Sequence, residues 1–98
     1  MSVSENQLFI PPDAHADPKS VEMVRAWIVD GGLQISLQTA VWDDVRSWGI
    51  LLADVCRFIA DAHHKKNGLD RVQTIANIRK TFEVELDSPT CPTEGDFA

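Results

Sequence analysis

The residues best suited to chemistry fall in one predicted helix and include Cys56, Asp61, His63 and His64. Two side chains on one helix can share a metal when they are three or four residues apart, because they then lie on the same face. Asp61 and His64 have that spacing, whereas Cys56 and His63 are seven residues apart and adjacent histidines project in different directions. His63 also lies about 10 Å along the axis from Cys56, too far to act as its base. The pattern therefore favours polar residues of a helix end over a metal site or a catalytic thiol.

A second candidate is the carboxylate pair Asp43 and Asp44, which lies beside Trp42 and Trp48. Two carboxylates can act as general acid and base. Their position just before an apolar helical pattern favours capping of the first turn instead. The sequence also contains no glycine-rich phosphate loop and no Ser-His-Asp pattern. We therefore expect no catalytic residue, no metal ligand and no cofactor, and favour a protein that is not an enzyme.

Two long amphipathic helices are predicted in the second half of the chain. The first begins at Asp43 or Asp44 and runs to about Lys66, where Asn67-Gly68 ends it. Its large apolar residues recur at three- and four-residue intervals and form one stripe, which we call the large stripe: Trp48, Leu51, Leu52, Val55, Ile59 and Ala62. The second helix is predicted from Asp70, its N-cap, to about Glu85. The connection is short, so the two helices should be antiparallel neighbours.

A β-hairpin is predicted before the helices. Leu33, Ile35 and Leu37 alternate with polar residues after Asp30-Gly31, which is a strong hairpin signal. We expect strands at roughly 23–29 and 33–39, after a helical turn that starts at Asp17-Pro18. A helix over 18–29, ended by Gly31 or Gly32, remains the alternative.

The segment Leu8-Phe9-Ile10 is predicted to be extended and pinned to the core by Phe9 and Ile10, where it can supply a third strand. The predicted fold class is therefore α+β: a β-hairpin, or three strands with the N-terminal segment, packed on two long antiparallel helices. Residues 1–7 are predicted to be a disordered N-terminus, 8–86 a single domain, and 87–98 a flexible tail.

Composition excludes several classes of function. The chain has 98 residues and a formal net charge of −6 from fifteen acidic and nine basic residues. Its bases form no concentrated patch, which argues against binding to nucleic acid or to an anionic membrane. No apolar run approaches the roughly 20 residues that a membrane span needs, and no signal pattern precedes the domain. With only two cysteines, a cytoplasmic location is expected.

A stripe of small residues adjoins the large stripe on the first long helix, and we call it the small stripe: Gly49, Ala53, Cys56 and Ala60. A glycine inside a helix costs about 1 kcal/mol relative to alanine, so it usually has a packing reason. The small stripe can face the second long helix of the same chain or a second copy of the chain. A two-stranded hairpin is also marginal alone and has free edges, which favours a homodimer.

Several runs carry a family resemblance. They are Ile10-Pro11-Pro12, Val24-Arg25-Ala26-Trp27-Ile28, Gln34-Ile35-Ser36-Leu37 and, most specifically, Trp42-Asp43-Asp44 with Trp48-Gly49-Ile50-Leu51-Leu52-Ala53-Asp54. Over roughly residues 8–85 the chain resembles a small bacterial family of stand-alone chains, catalogued only as a domain of unknown function. The resemblance implies a single domain and carries no activity, cofactor or substrate.

The sequence predicts a non-catalytic, self-associating interaction or regulatory module, a homodimer that can also bind an unidentified protein partner. The alternative is a small-molecule-binding protein whose pocket is lined by Trp27, Trp42 and Trp48.

Overall fold

The computed structural model describes residues 3–98 and contains a three-stranded sheet and two long helices. The elements in chain order are a 3₁₀ turn at Val3–Asn6, α1 at Pro12–Ala16, β1 at Val24–Val29, β2 at Gly32–Leu37, α2 at Arg46–Asn67, α3 at Arg71–Asp87 and β3 at Glu94–Phe97. The strand order is β1-β2-β3, so β2 is the central strand. The predicted α+β class, with a hairpin followed by two long helices, is confirmed. Among residues 3–98, no helix combines the length and apolarity needed to cross a membrane.

The hairpin of β1 and β2 is antiparallel and has a two-residue turn. Asp30 and Gly31 form this turn with φ values of 51° and 77°. Positive φ at both central positions is the requirement of a type I′ turn, whose twist matches that of the strands it joins. Val24 pairs with Leu37 and Val29 with Gly32. The alternative of a helix over 18–29 is thereby excluded.

The helical turn predicted at Asp17-Pro18 lies elsewhere, so that expectation was wrong. The short helix α1 begins at Pro12, where the fixed φ of proline suits the first helical position. Asp17 instead ends α1 and opens a turn: its carboxylate accepts a hydrogen bond from the Lys19 backbone N–H at 2.9 Å, and its carbonyl accepts one from the Ser20 N–H at 3.1 Å. Pro18 occupies the second position of that turn, which proline also favours.

The third strand comes from the C-terminal segment and not from the N-terminal one. β3 lies within the predicted tail, runs parallel to β2, and pairs Gln34 with Glu94 and Leu37 with Phe97. The N-terminal segment is not pinned to a core, because Phe9 is 100% exposed. The segment that leads into β3, residues 88–93, contains two prolines and two threonines, a composition typical of coil, so no local pattern predicts the strand.

Gly95 permits the close approach of β3 to β2. Its φ is 149°, and a Cβ atom at this position would overlap the backbone carbonyl of Ile35. Any other residue would therefore force the two strands apart.

The two long helices pack on each other within the chain. The Asp70 carboxylate caps α3 by accepting from the Gln73 backbone N–H at 2.8 Å, as the sequence predicts. Arg71 at the start of α3 pairs with Asp61 of α2 at 2.7 Å. Ala60 of α2 is 1% exposed and is the one buried residue among those whose burial the structure describes.

Replacing Gly95 with Ala should detach β3 from β2, because the added Cβ has no space beside Ile35. The Thr39 N–H donates to the Ala98 carbonyl and the Ala98 N–H to the Leu37 carbonyl, so both amides report on this pairing. We expect their hydrogen-exchange protection to fall by at least about tenfold, with α2 unchanged. Glu94→Ala in the same strand is the matched control. Unchanged protection in Gly95→Ala would contradict this account of the strand.

Candidate self-association surface

One face of the sheet is entirely apolar. Residues paired across neighbouring strands project to the same side of a sheet, and alternate residues along a strand share that side. The register therefore places one uncharged set together, which we call the sheet face: Val24, Ala26, Ile28, Leu33, Ile35, Leu37 and Phe97. The opposite side carries polar side chains at Arg25, Gln34 and Ser36.

The sheet face is uncovered within the chain. Ile28 is 72% exposed and Phe97 is 74% exposed, and no residue of the three strands is buried. Within residues 3–98, no Cα atom of the strands comes within 8 Å of a Cα atom of α2 or α3. Helices normally cover one side of such a sheet. This chain contains the helices α2 and α3, but they do not pack on the sheet.

The two stripes of α2 have different surroundings. At 100° per residue, the small stripe and the large stripe point in different directions around the helix. The small stripe contains Ala60, which is buried where α2 packs on α3, and Cys56, which is half-buried; its other members, Gly49 and Ala53, are exposed. Three members of the large stripe are exposed (Leu52, Val55 and Ile59, at 49%, 45% and 38%), and the other three are half-buried. At Ala60, therefore, the small stripe packs within one chain, while the large stripe is partly open.

The total surface gives the scale of this exposure. The chain exposes 8569 Å², whereas a compact monomer of the same mass exposes about 5,600 Å². Its radius of gyration is 15.4 Å, against about 13 Å for a compact chain of this length. Roughly 3,000 Å² per chain is thus left open beyond what a compact monomer would expose.

The connection between β2 and α2, residues 38–45, has its own internal structure. The rings of Trp42 and Trp48 meet edge to face with centroids 5.2 Å apart, which joins the connection to the first turns of α2. The Gln38 side-chain oxygen accepts from the Ala40 N–H at 3.0 Å. Both contacts lie within the connection or between it and the first turn of α2.

The N-cap of α2 is Val45, whose side chain makes no capping hydrogen bond, so the prediction that Asp43 or Asp44 holds this position was wrong; Asp44 lies one residue before it. Its carboxylate accepts from the Arg46 backbone N–H at 2.9 Å and from the Arg46 guanidinium at 2.7 to 3.1 Å. The guanidinium first, and the backbone N–H second, hold the pKa of Asp44 below its ordinary value. Asp43 makes no side-chain hydrogen bond or ion pair within residues 5–98, so it does not share the contacts of Asp44 with Arg46.

The connection between α3 and β3, residues 88–93, is fixed by Glu85. Its carboxylate accepts from the Thr90 hydroxyl and, at 2.8 Å, from the Thr90 N–H. These two hydrogen bonds lower the pKa of Glu85. Both connections between the sheet and the helices are therefore held by charged or aromatic contacts.

The other candidate residues for chemistry have structural contacts at the α2–α3 connection. His64 Nδ1 lies 2.9 Å from the Leu69 carbonyl, and His63 Nδ1 lies 3.2 Å from the Asn67 side-chain nitrogen. Asp61 is paired with Arg71. In the part of the chain that the structure describes, no group of three His, Cys, Asp or Glu side chains is placed to hold a metal ion.

The three tryptophans divide into two groups. Trp42 and Trp48 form the edge-to-face pair. Trp27 lines a separate open cleft of about 750 Å³ between the N-terminal segment and β1, beside His15, Glu22 and Arg25. The structure thus brings two of the predicted pocket residues together and places the third at another surface.

These features define a small α+β domain whose sheet and helical hairpin each leave an apolar surface open. The chain belongs to the family described as Domain of unknown function (DUF5076), whose model matches residues 7–90. No curated protein sequence matches the chain.

A solved structure from the photosynthetic bacterium Rhodopseudomonas palustrus is similar to this chain. The sequences are 31% identical, the match covers 88% of each chain, and the TM-score is 0.69. That protein is described as a "putative pyruvate dehydrogenase". A match over this share of both chains includes at least part of the hairpin as well as the helices.

The Asp44 contact predicts a pH-dependent contribution to stability. The pKa of Asp44 is lower in the folded protein than in the unfolded chain, where it is about 4. The stabilisation is therefore complete at a pH above the unfolded-state pKa and is lost as the pH falls through the folded-state pKa. Asp44→Asn should therefore lower Tm at pH 7, and its difference from the wild type should shrink towards pH 2.5. Asp43→Asn is the matched control, compared at equal protein concentration. A difference between Asp44→Asn and the wild type that stays constant from pH 7 to 2.5 would contradict this role.

Proposed function

We propose that this protein is a non-catalytic interaction module that works as a homodimer, with the sheet face and the large stripe of α2 as its contact surfaces. The observation that carries the proposal is the uncovered sheet face, seven apolar residues without a charge. Exposed apolar patches of this size on soluble proteins mark sites of association.

The uncovered area agrees with a permanent dimer. An excess of roughly 3,000 Å² per chain is about 6,000 Å² for two chains, more than the roughly 2,000–5,000 Å² that obligate homodimer interfaces bury, so such a dimer would leave part of it exposed. A chain of 98 residues can bury only a small core alone, and oligomerisation is a usual way to supplement it.

The similarity to the solved bacterial structure concerns the fold and not the oligomeric state. The likeness extends over 88% of both chains, so it includes at least part of the hairpin together with the helices. The pyruvate dehydrogenase description belongs to that protein, and no arrangement of side chains within residues 3–98 favours carrying it over to this chain.

The oligomeric state tests the proposal. At about 100 μM, light scattering should give twice the chain mass of 10.9 kDa. Ile28→Asp places a charge on the sheet face and should raise the dissociation constant at least about a hundredfold. Ile28 is exposed in the single chain, so the variant should keep its helix content by circular dichroism.

Gln34→Asp is the matched control, because it adds the same charge to the opposite side of the sheet. A wild-type protein that runs at the mass of one chain would overturn the proposal. Equal effects of Ile28→Asp and Gln34→Asp would show that the sheet face is not the contact.

A second candidate function is small-molecule binding at the cleft beside Trp27. Its volume of about 750 Å³ lies within the range of ligand pockets, roughly 300–1,000 Å³. In a thermal-shift screen against a metabolite library, a ligand of this cleft should raise the Tm of the wild type and lose that effect in Trp27→Ala. Trp42→Ala, at a separate surface, is the control. A screen in which no compound separates the two variants would contradict this function.

A further inference from the structure

We infer that the dimer forms by reciprocal exchange, in which the large stripe of α2 in one copy covers the sheet face of the other copy. This inference rests on the proposed function and adds the identity of the two surfaces that meet. The occupant of the sheet face is thus the helical hairpin of a second copy of this chain.

The two surfaces match in chemistry. An α+β domain buries one side of its sheet against helices. The sheet face carries no charge, and neither does the large stripe, while the charged residues Asp54 and Arg57 pair with each other on another side of α2. The sheet face therefore lacks a helical layer, and the large stripe of a second copy can supply one.

They also match in length. The large stripe without Trp48 runs from Leu51 to Ala62, about 17 Å along the helix axis. Each strand of the hairpin has six residues, which corresponds to about 20 Å. About three turns of helix can thus lie along the strands of the sheet face. α3 carries a further exposed apolar residue, Phe82, at 47%.

The two connections keep contacts of their own while the two layers lie apart within one chain. The Trp42–Trp48 pair and the Asp44–Arg46 contact hold residues 38–45, and the Glu85–Thr90 contact holds residues 88–93. Each contact joins residues at most six positions apart, and in the conformation that contains them the helical hairpin lies off its own sheet. Exchange between two copies leaves these contacts intact. It covers the sheet face and the large stripe of each copy, and it gives a closed dimer with a two-fold axis.

Cross-linking between single-cysteine chains tests the arrangement. Cys56→Ala and Cys91→Ser supply a cysteine-free background, to which Ile28→Cys on the sheet face or Val55→Cys on the large stripe is added separately. The two variants are unfolded together, refolded as a mixture, and treated with a short bismaleimide. Because each chain has one cysteine, every covalent dimer reports a contact between copies.

Reciprocal exchange predicts a covalent dimer in the mixture and at least tenfold less in either variant alone. Replacing Val55→Cys by Arg57→Cys, on another side of α2, should lower the yield to that background. Cross-linking of each variant with itself, and not in the mixture, would mean that like surfaces pair; this outcome overturns the exchange but leaves the homodimer standing. A single-chain mass in scattering would instead overturn the proposed function itself.

Discussion

Apolar surface must be removed from water, and this requirement governs the whole molecule. A large aliphatic or aromatic side chain is worth about 1.5–3 kcal/mol when it is fully buried. In this chain the sheet face and the large stripe both consist of such side chains, yet Ala60 is the one buried residue among those whose burial is described. The helices and strands are regular. Little apolar surface is buried because the sheet and the helices do not pack on each other, and not because these elements fail to form.

The apolar character of the sheet face depends on two local features of the backbone. The turn at Asp30 and Gly31 fixes the register of β1 and β2, and a shift of one residue would turn every apolar side chain to the other side. Gly95 then lets β3 approach β2 closely enough for Phe97 to extend the same face beside Leu37. The three residues with positive φ, Asp30 and Gly31 in the turn and Gly95 in β3, thus determine which side chains share the sheet face.

Patterns that act over a few residues were predictable from the sequence. The hairpin turn, the Asp70 cap and the two long helices follow from residue types at fixed spacing, and the structure confirms each of them. The sequence predicts a helix start at Pro18, but the helix begins at Pro12, whose fixed φ suits the first helical position equally well. β3 could not be predicted because its strand conformation depends on an edge of β2 sixty positions earlier and not on its own composition. For the same reason, the sequence predicts the two stripes of α2 but not which one packs on α3.

The parallel docking of β3 also has a consequence for the order of folding. Gln34 pairs with Glu94, and both long helices lie between them in the chain. Closing so long a loop is entropically costly until the helices have formed, so the hairpin and the helices are expected to fold first and the sheet to be completed last. During that interval the edge of β2 offers unpaired backbone groups to any other nascent chain. A higher concentration of newly made chains therefore favours aggregation through this edge over the docking of β3 within one chain.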